Sequence, residues 1–97
     1  MENYKLSQQA EQDFSDLFYC GMINFGIDKA ERFTDDMILR FENIAKTPLT
    51  WPIIDDSLGA YRRSVFGRYS IYYRADDVGV VIIRILRSQN VVISLYE

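Results

Sequence analysis

Six arginines crowd one short stretch of this chain: Arg62, Arg63, Arg68, Arg74, Arg84 and Arg87, with Tyr61, Tyr69, Tyr72 and Tyr73 among them. A guanidinium stays protonated at working pH, so it is a poor general base. It is a good fork for the oxygens of a phosphate or a carboxylate. A neighbouring phenol can stack on a base or supply a hydroxyl. The only carboxylates between Tyr61 and Ser88 are Asp76 and Asp77, in a turn. The chain has no histidine, which excludes imidazole catalysis and histidine metal sites. It has no glycine-rich phosphate loop, no cysteine metal pattern and no Ser-His-Asp set. The chemistry that fits is binding rather than catalysis, with no cofactor. The competing structural reading is that single arginines pair with acids of the same molecule.

These side chains need a scaffold. Tyr61–Phe66, Tyr69–Arg74 and Val80–Arg87 read as three strands of a meander, turned at Gly67 and at Asp76-Asp77-Val78-Gly79. A period of two puts Tyr69, Ile71 and Tyr73 on one side of the middle strand and Ser70, Tyr72 and Arg74 on the other. Val80–Arg87 is apolar on both parities, as a central strand should be. Arg84 interrupts the row Val80, Ile82, Leu86, so Val81, Ile83 and Ile85 are expected to meet the helices. Tyr72, Arg74 and Arg84 then share the opposite face. Arg68 and Arg87 sit at strand ends and can reach either side. Arg62 and Arg63 point to opposite faces, so at most one joins a given patch. The expected target-binding set is Arg62, Arg68, Tyr72, Arg74, Arg84 and Arg87. On this reading Arg84→Ala weakens activity and leaves the fold intact.

The first half of the chain reads as the brace. Asn3–Leu6 is long enough for one strand, and Ser7 offers an N-cap. Ala10, Phe14, Leu17, Phe18 and Gly21 recur at helical spacing, and Gly26 is a stop. Asp28, with Glu31 three residues on, has the form of a capping box opening a second helix. Ala30, Phe33, Met37, Phe41, Ile44 and Ala45 make its apolar face, and Pro48 ends it. A link as short as Gly26-Ile27-Asp28 predicts an antiparallel helical hairpin. Residues 47–60 read as an irregular loop. There Trp51 either covers the open end of the core with Ile53 or anchors a partner. The tail from Val91 to Tyr96 is β-branched and apolar, suited to a fifth strand or to cover by a partner.

Ninety-seven residues suit a single domain spanning 1–97. The net charge of −3 argues against binding nucleic acid by bulk charge alone. Residues 1–48 hold five basic and nine acidic side chains, residues 49–97 six and five, so the first half is acidic and the positive charge of the second half is concentrated in the meander. Cys20 is the one cysteine, so no internal disulfide forms; a small core thiol in a reducing cytosol is expected. No apolar run approaches the ~20 residues of a membrane span, and the start is polar rather than signal-like. The expected location is cytoplasmic.

In this β-α-α-β-β-β order, an ordered set of strings resembles one family. They are Tyr4-Lys5-Leu6-Ser7 with Ala10 and Asp13, Phe25-Gly26 with Ala30, Ala45 with Pro48, Tyr61-Arg62-Arg63, Ile71-Tyr72-Tyr73-Arg74 and Arg84-Ile85-Leu86. The chain resembles the ParE toxins of the RelE/ParE superfamily over nearly its whole length. The resemblance implies an α+β fold, a helical hairpin packed on a small antiparallel sheet. It also implies a non-enzymatic toxin that poisons DNA gyrase, with nucleic acid reached only through the gyrase complex. A cognate antitoxin would neutralise it, expected on Trp51 and on Val91, Val92, Ile93 and Leu95 of the tail. A homodimer or a hetero-oligomer with antitoxin is left open. Arg87 stands where ParE sequences commonly have histidine. Ser70 follows Tyr69 where RelE relatives, which cut messenger RNA on the ribosome, commonly have arginine. The alternatives are such an endonuclease and a toxin-like binding module without toxicity.

Overall fold

The computed structural model describes residues 4–55 and 61–87. Its elements are β1 (Tyr4–Leu6), α1 (Gln8–Phe25), α2 (Ile27–Lys46), β2 (Ile53–Asp55), β3 (Tyr61–Phe66), β4 (Tyr69–Ala75) and β5 (Val80–Arg87). The strands form one sheet in the order β1-β5-β4-β3-β2. β2 through β5 are antiparallel to their neighbours, whereas β1 lies parallel to β5. The expected all-antiparallel sheet is therefore mixed. The helical hairpin carries the chain from β1 to β2 at the far edge of the sheet, and three antiparallel steps then bring β5 alongside β1 in the same direction.

Ser7 starts α1 and joins it to the sheet. Its hydroxyl accepts from the Ala10 amide at 3.0 Å and donates to the Ile83 carbonyl at 2.7 Å. Its own amide donates to the Ile82 carbonyl. At the other end, Gly26 closes α1 and opens α2 in one residue, with φ 91° and ψ 161°. That conformation is open essentially to glycine alone. The Asp28–Glu31 capping box does not form: α2 starts at Ile27 with no side-chain cap, and Asp28 lies in its first turn. Gly26 supplies the carbonyl for the Ala30 amide, leaving no N-cap position for Asp28.

The core lies between the hairpin and one face of the sheet. Ala10, Leu17, Met37, Phe41 and Ile44 from the helices meet Ile71, Tyr73, Val80, Ile82 and Ile85. The inward residues of β5 differ from the period-two expectation, since Val81 and Ile83 are only half-buried. Tyr72 stands opposite Arg84 but Tyr73 stands opposite Ile82, which leaves Ile83 extra in β5. A bulge of this kind switches the parity of the strand. Val80 and Ile82 point inward before it and Ile85 after it. Arg84, on the parity of Ile82, is thereby kept out of the core.

The loop after α2 holds β2, which pairs with β3 through Ile53–Arg62 and Asp55–Tyr61. Cys20 is exposed rather than in the core. It lies on α1 one residue before Gly21, whose side faces Ala30 of α2, so the helical turn carries the thiol outward.

Candidate functional site

Residues directly opposite each other on neighbouring strands share a face. Arg63 stands opposite Tyr72 and Tyr72 opposite Arg84, so the three form a row across β3, β4 and β5. This row lies on the face away from the helices, because its neighbours Ser64, Ile71 and Tyr73 are buried beneath it. Arg74 shares this parity, and its guanidinium sits 5.9 Å from the centre of the Tyr61 ring. The outer face therefore alternates guanidinium and phenol. Tyr72, Arg74 and Arg84 are brought together as expected.

Arg62 is not among them. It stands opposite Tyr73 on the helix side, and its Nη1 donates to the Trp51 carbonyl at 2.6 Å. Arg63 takes the place expected for Arg62. The sequence left the two equivalent, and only the register with Tyr72 separates them.

Among the described residues, Arg84 is the one member of the row with a carboxylate partner. Its Nε donates to Asp13 Oδ2 at 2.7 Å and its Nη2 to Oδ1 at 3.1 Å. The same Oδ2 accepts from the Ile85 amide at 3.0 Å. Burial pushes the Asp13 carboxyl up, but hydrogen bonds from Arg84 and Ile85, with the Arg84 charge, outweigh it and hold the group below its ordinary value. Asp13 also shows why the bulge sits here. β1 ends at Leu6, so among the described residues no strand neighbours the outer edge of β5 beyond Ile82. Ser7 takes the Ile83 carbonyl and Asp13 the Ile85 amide in its place.

Trp51 covers the core. Its ring meets the buried Tyr73 edge-on at 6.5 Å, and the Arg40 guanidinium lies 5.7 Å from it. Arg40 also donates to Ser64 Oγ and the Val65 carbonyl, both at 2.8 Å. Arg40 went unnoticed in sequence because nothing local distinguishes it from a solvated helix charge. Ile53, expected to share the cover, is 46% exposed.

Arg68 and Arg87 lie elsewhere again. Together with Lys29 they rim a cleft of about 530 Å³ between the hairpin and the β3–β4 turn, floored by Leu17, Phe33 and Tyr69. The expected set thus divides among an outer face, the Trp51 loop and this cleft. Val91, Val92, Ile93 and Leu95 lie outside the described residues.

Among known proteins, residues 4–92 match the family described as the ParE toxin of the type II toxin–antitoxin system parDE. The chain belongs to the ParE toxin family. Toxin ParE1 of Caulobacter vibrioides is 29% identical over 86 residues, covering 89% of this chain and 88% of that one. Toxin ParE1 of Mycobacterium tuberculosis is 23% identical over 87 residues, covering 89% of each. The fold is similar to that in a chromosomal ParDE toxin–antitoxin system from P. aeruginosa, with a TM-score of 0.76 at 18% identity over 90% of this chain and 96% of that one. It is also similar to the RelBE2 toxin–antitoxin complex from Mycobacterium tuberculosis, with a TM-score of 0.62 at 20% identity over 89% and 96%. Among the described residues, no helix is long and apolar enough to cross a membrane.

Proposed function

We propose that this ParE-family toxin inhibits DNA gyrase by trapping its cleaved complex, without a catalytic centre of its own, and that a cognate antitoxin neutralises it. The observation that carries the binding reading is the outer face, where Arg63, Arg74 and Arg84 surround Tyr72. Two carboxylates, on α1 and in the β4–β5 turn, have other tasks. Asp13 holds Arg84 and the bulge, and Asp76 accepts from the Val78 and Gly79 amides of its own turn. Arginine forks and a phenol suit recognition of a charged macromolecular surface. Target contacts are assigned to Arg63, Tyr72, Arg74 and Arg84; gyrase acts on cellular DNA, which puts the protein in the cytoplasm.

The antitoxin is assigned to the cleft. An apolar floor inside a rim of Lys29, Arg68 and Arg87 suits an amphipathic segment with acidic flanks. This puts Arg68 and Arg87 on the antitoxin side and leaves the outer face to the target. The deciding experiment adds purified protein to gyrase with supercoiled plasmid and, in parallel, to ribosomes programmed with messenger RNA. Accumulated linear DNA with intact transcript is expected. Transcript cleavage with supercoiling untouched would replace the reading with a ribosome-dependent endonuclease. Neither effect, with no growth arrest on induced expression, would leave a binding module.

A further inference from the structure

We infer that Asp13 is a positioning residue for the target contact: it grips the Arg84 guanidinium by one edge and so presents the other edge to the target. This rests on the assignment of Arg84 to the target face. Three observations carry it. The first is the edge in use. Asp13 takes the Nε–H and one hydrogen of Nη2, which is the side of the fork. Nη1 and the second hydrogen of Nη2 form its end, and among the described residues nothing accepts from Nη1. The Arg84 side chain is 38% exposed against 14% for Asp13, so the guanidinium still reaches the surface above its grip. The second is the backbone on either side. The Ile83 carbonyl accepts from the Ser7 hydroxyl, and the Ile85 amide donates to the same Asp13 Oδ2 that holds the guanidinium. Arg84 is therefore fixed through both chain neighbours and through its own head group, all from Ser7 and the early turns of α1. The third is contrast within the row. Arg74 lies over Tyr61, and among the described residues neither Arg63 nor Arg74 has a carboxylate partner. A long side chain loses rotamer freedom when it binds, whereas one already held loses it on folding. Arg84 is thus the fixed point of the row. An ion pair that only joined α1 to β5 would need no exposed guanidinium edge.

The test has a spectroscopic arm and a functional arm. In nitrogen-15 NMR spectra of the full chain, the Arg84 Nε–H should exchange with water at least about tenfold more slowly than that of the exposed Arg68. Asp13→Asn should remove that protection. The functional arm is growth arrest on induced expression without antitoxin, read as the cellular level of toxin that halves the growth rate. Asp13→Asn should raise that level about tenfold or more. Arg84→Lys keeps a cation for Asp13 but not the fork. In that background Asp13→Asn should add less than about a twofold change, because a positioning residue acts only through its partner. Gly26→Ala, which strains the hairpin away from the row, should lose stability and leave the level unchanged. The inference is overturned by a wild-type Arg84 Nε–H that exchanges like that of Arg68, or by Asp13→Asn arresting growth at the wild-type level. It is equally overturned by the same loss in both backgrounds, by Gly26→Ala weakening arrest as much as Asp13→Asn, or by a wild type that arrests nothing. The exchange comparison is made on wild type alone, so it decides even where Asp13→Asn fails to fold. Growth arrest names no target, so failure of the gyrase experiment and failure of this one are told apart.

Discussion

Asp13 ties α1 to β5, because one carboxylate serves both a guanidinium and a bulge amide. It is mostly buried, with 14% of its side chain exposed. Replacing it with Asn keeps the shape but removes the charge that both donors address. A loss of about 1–3 kcal/mol in stability is expected, measured by urea unfolding at neutral pH. The pH dependence has a definite sign. A carboxyl held below its unfolded value adds stability that is fully present above the unfolded value and is lost as pH falls through the folded one. Acid unfolding of the wild type should therefore begin in the low carboxylate range, and Asp13→Asn should flatten that limb. Arg84→Ala, a clean surface probe by sequence, strands a buried carboxylate in the structure and should destabilise as well as weaken function. Arg63, with its side chain on the outer face and no carboxylate partner among the described residues, is the better probe. Arg84 was legible as a functional candidate by its type. Its partner was not, because Asp13 lies 71 residues away and reads as a favourable charge early in a helix.

At the scale of elements, the sheet edge depends on the residue that starts the first helix. Ser7 caps α1 and binds the Ile83 carbonyl with the same hydroxyl, so Ser7→Ala removes both at once. A cost of about 1–2 kcal/mol is expected from thermal or urea unfolding. Hydrogen exchange should rise at Ala10 and around the bulge together, a coupling that a cap alone would not produce. Gly26 is the second pivot. Gly26→Ala forces a Cβ into a φ of 91°, with nothing within 4 Å to clash, so the cost is backbone strain of about 1–3 kcal/mol. Both residues were legible because cap and stop signals are local. β2 was hidden because it is three residues long, in a proline-marked loop, and exists through pairing with β3. The bulge had a signal: Arg84 falls on the parity of Val80 and Ile82. Period-two reasoning resolves that conflict by turning the whole strand over, whereas the chain resolves it by inserting Ile83.

On the whole molecule, the two halves divide structure from recognition. The hairpin fills one face of the sheet with Leu17, Met37, Phe41 and Ile44 and carries most of the acids outward. The other face carries Arg63, Tyr72, Arg74 and Arg84, with Val65 exposed and Ser70 buried on the same side. The composition foretold this division, since every base after Lys46 is an arginine of the meander. It did not foretell that the arginines separate, because strand ends and register decide which of them are neighbours. Separation predicts separable phenotypes. Arg68→Glu with Arg87→Glu should weaken antitoxin capture in a pull-down while leaving toxicity, and Arg63→Ala with Tyr72→Ala should do the reverse. The most direct test of the target face is gyrase cleavage of plasmid DNA, titrated with wild type and with the folded Arg63→Ala/Tyr72→Ala variant. The account predicts linear DNA accumulating with wild type and a potency at least about tenfold lower in the variant, equivalent to ~1.4 kcal/mol of lost contact. Equal potency of the two proteins, or no cleaved DNA with either, would contradict it.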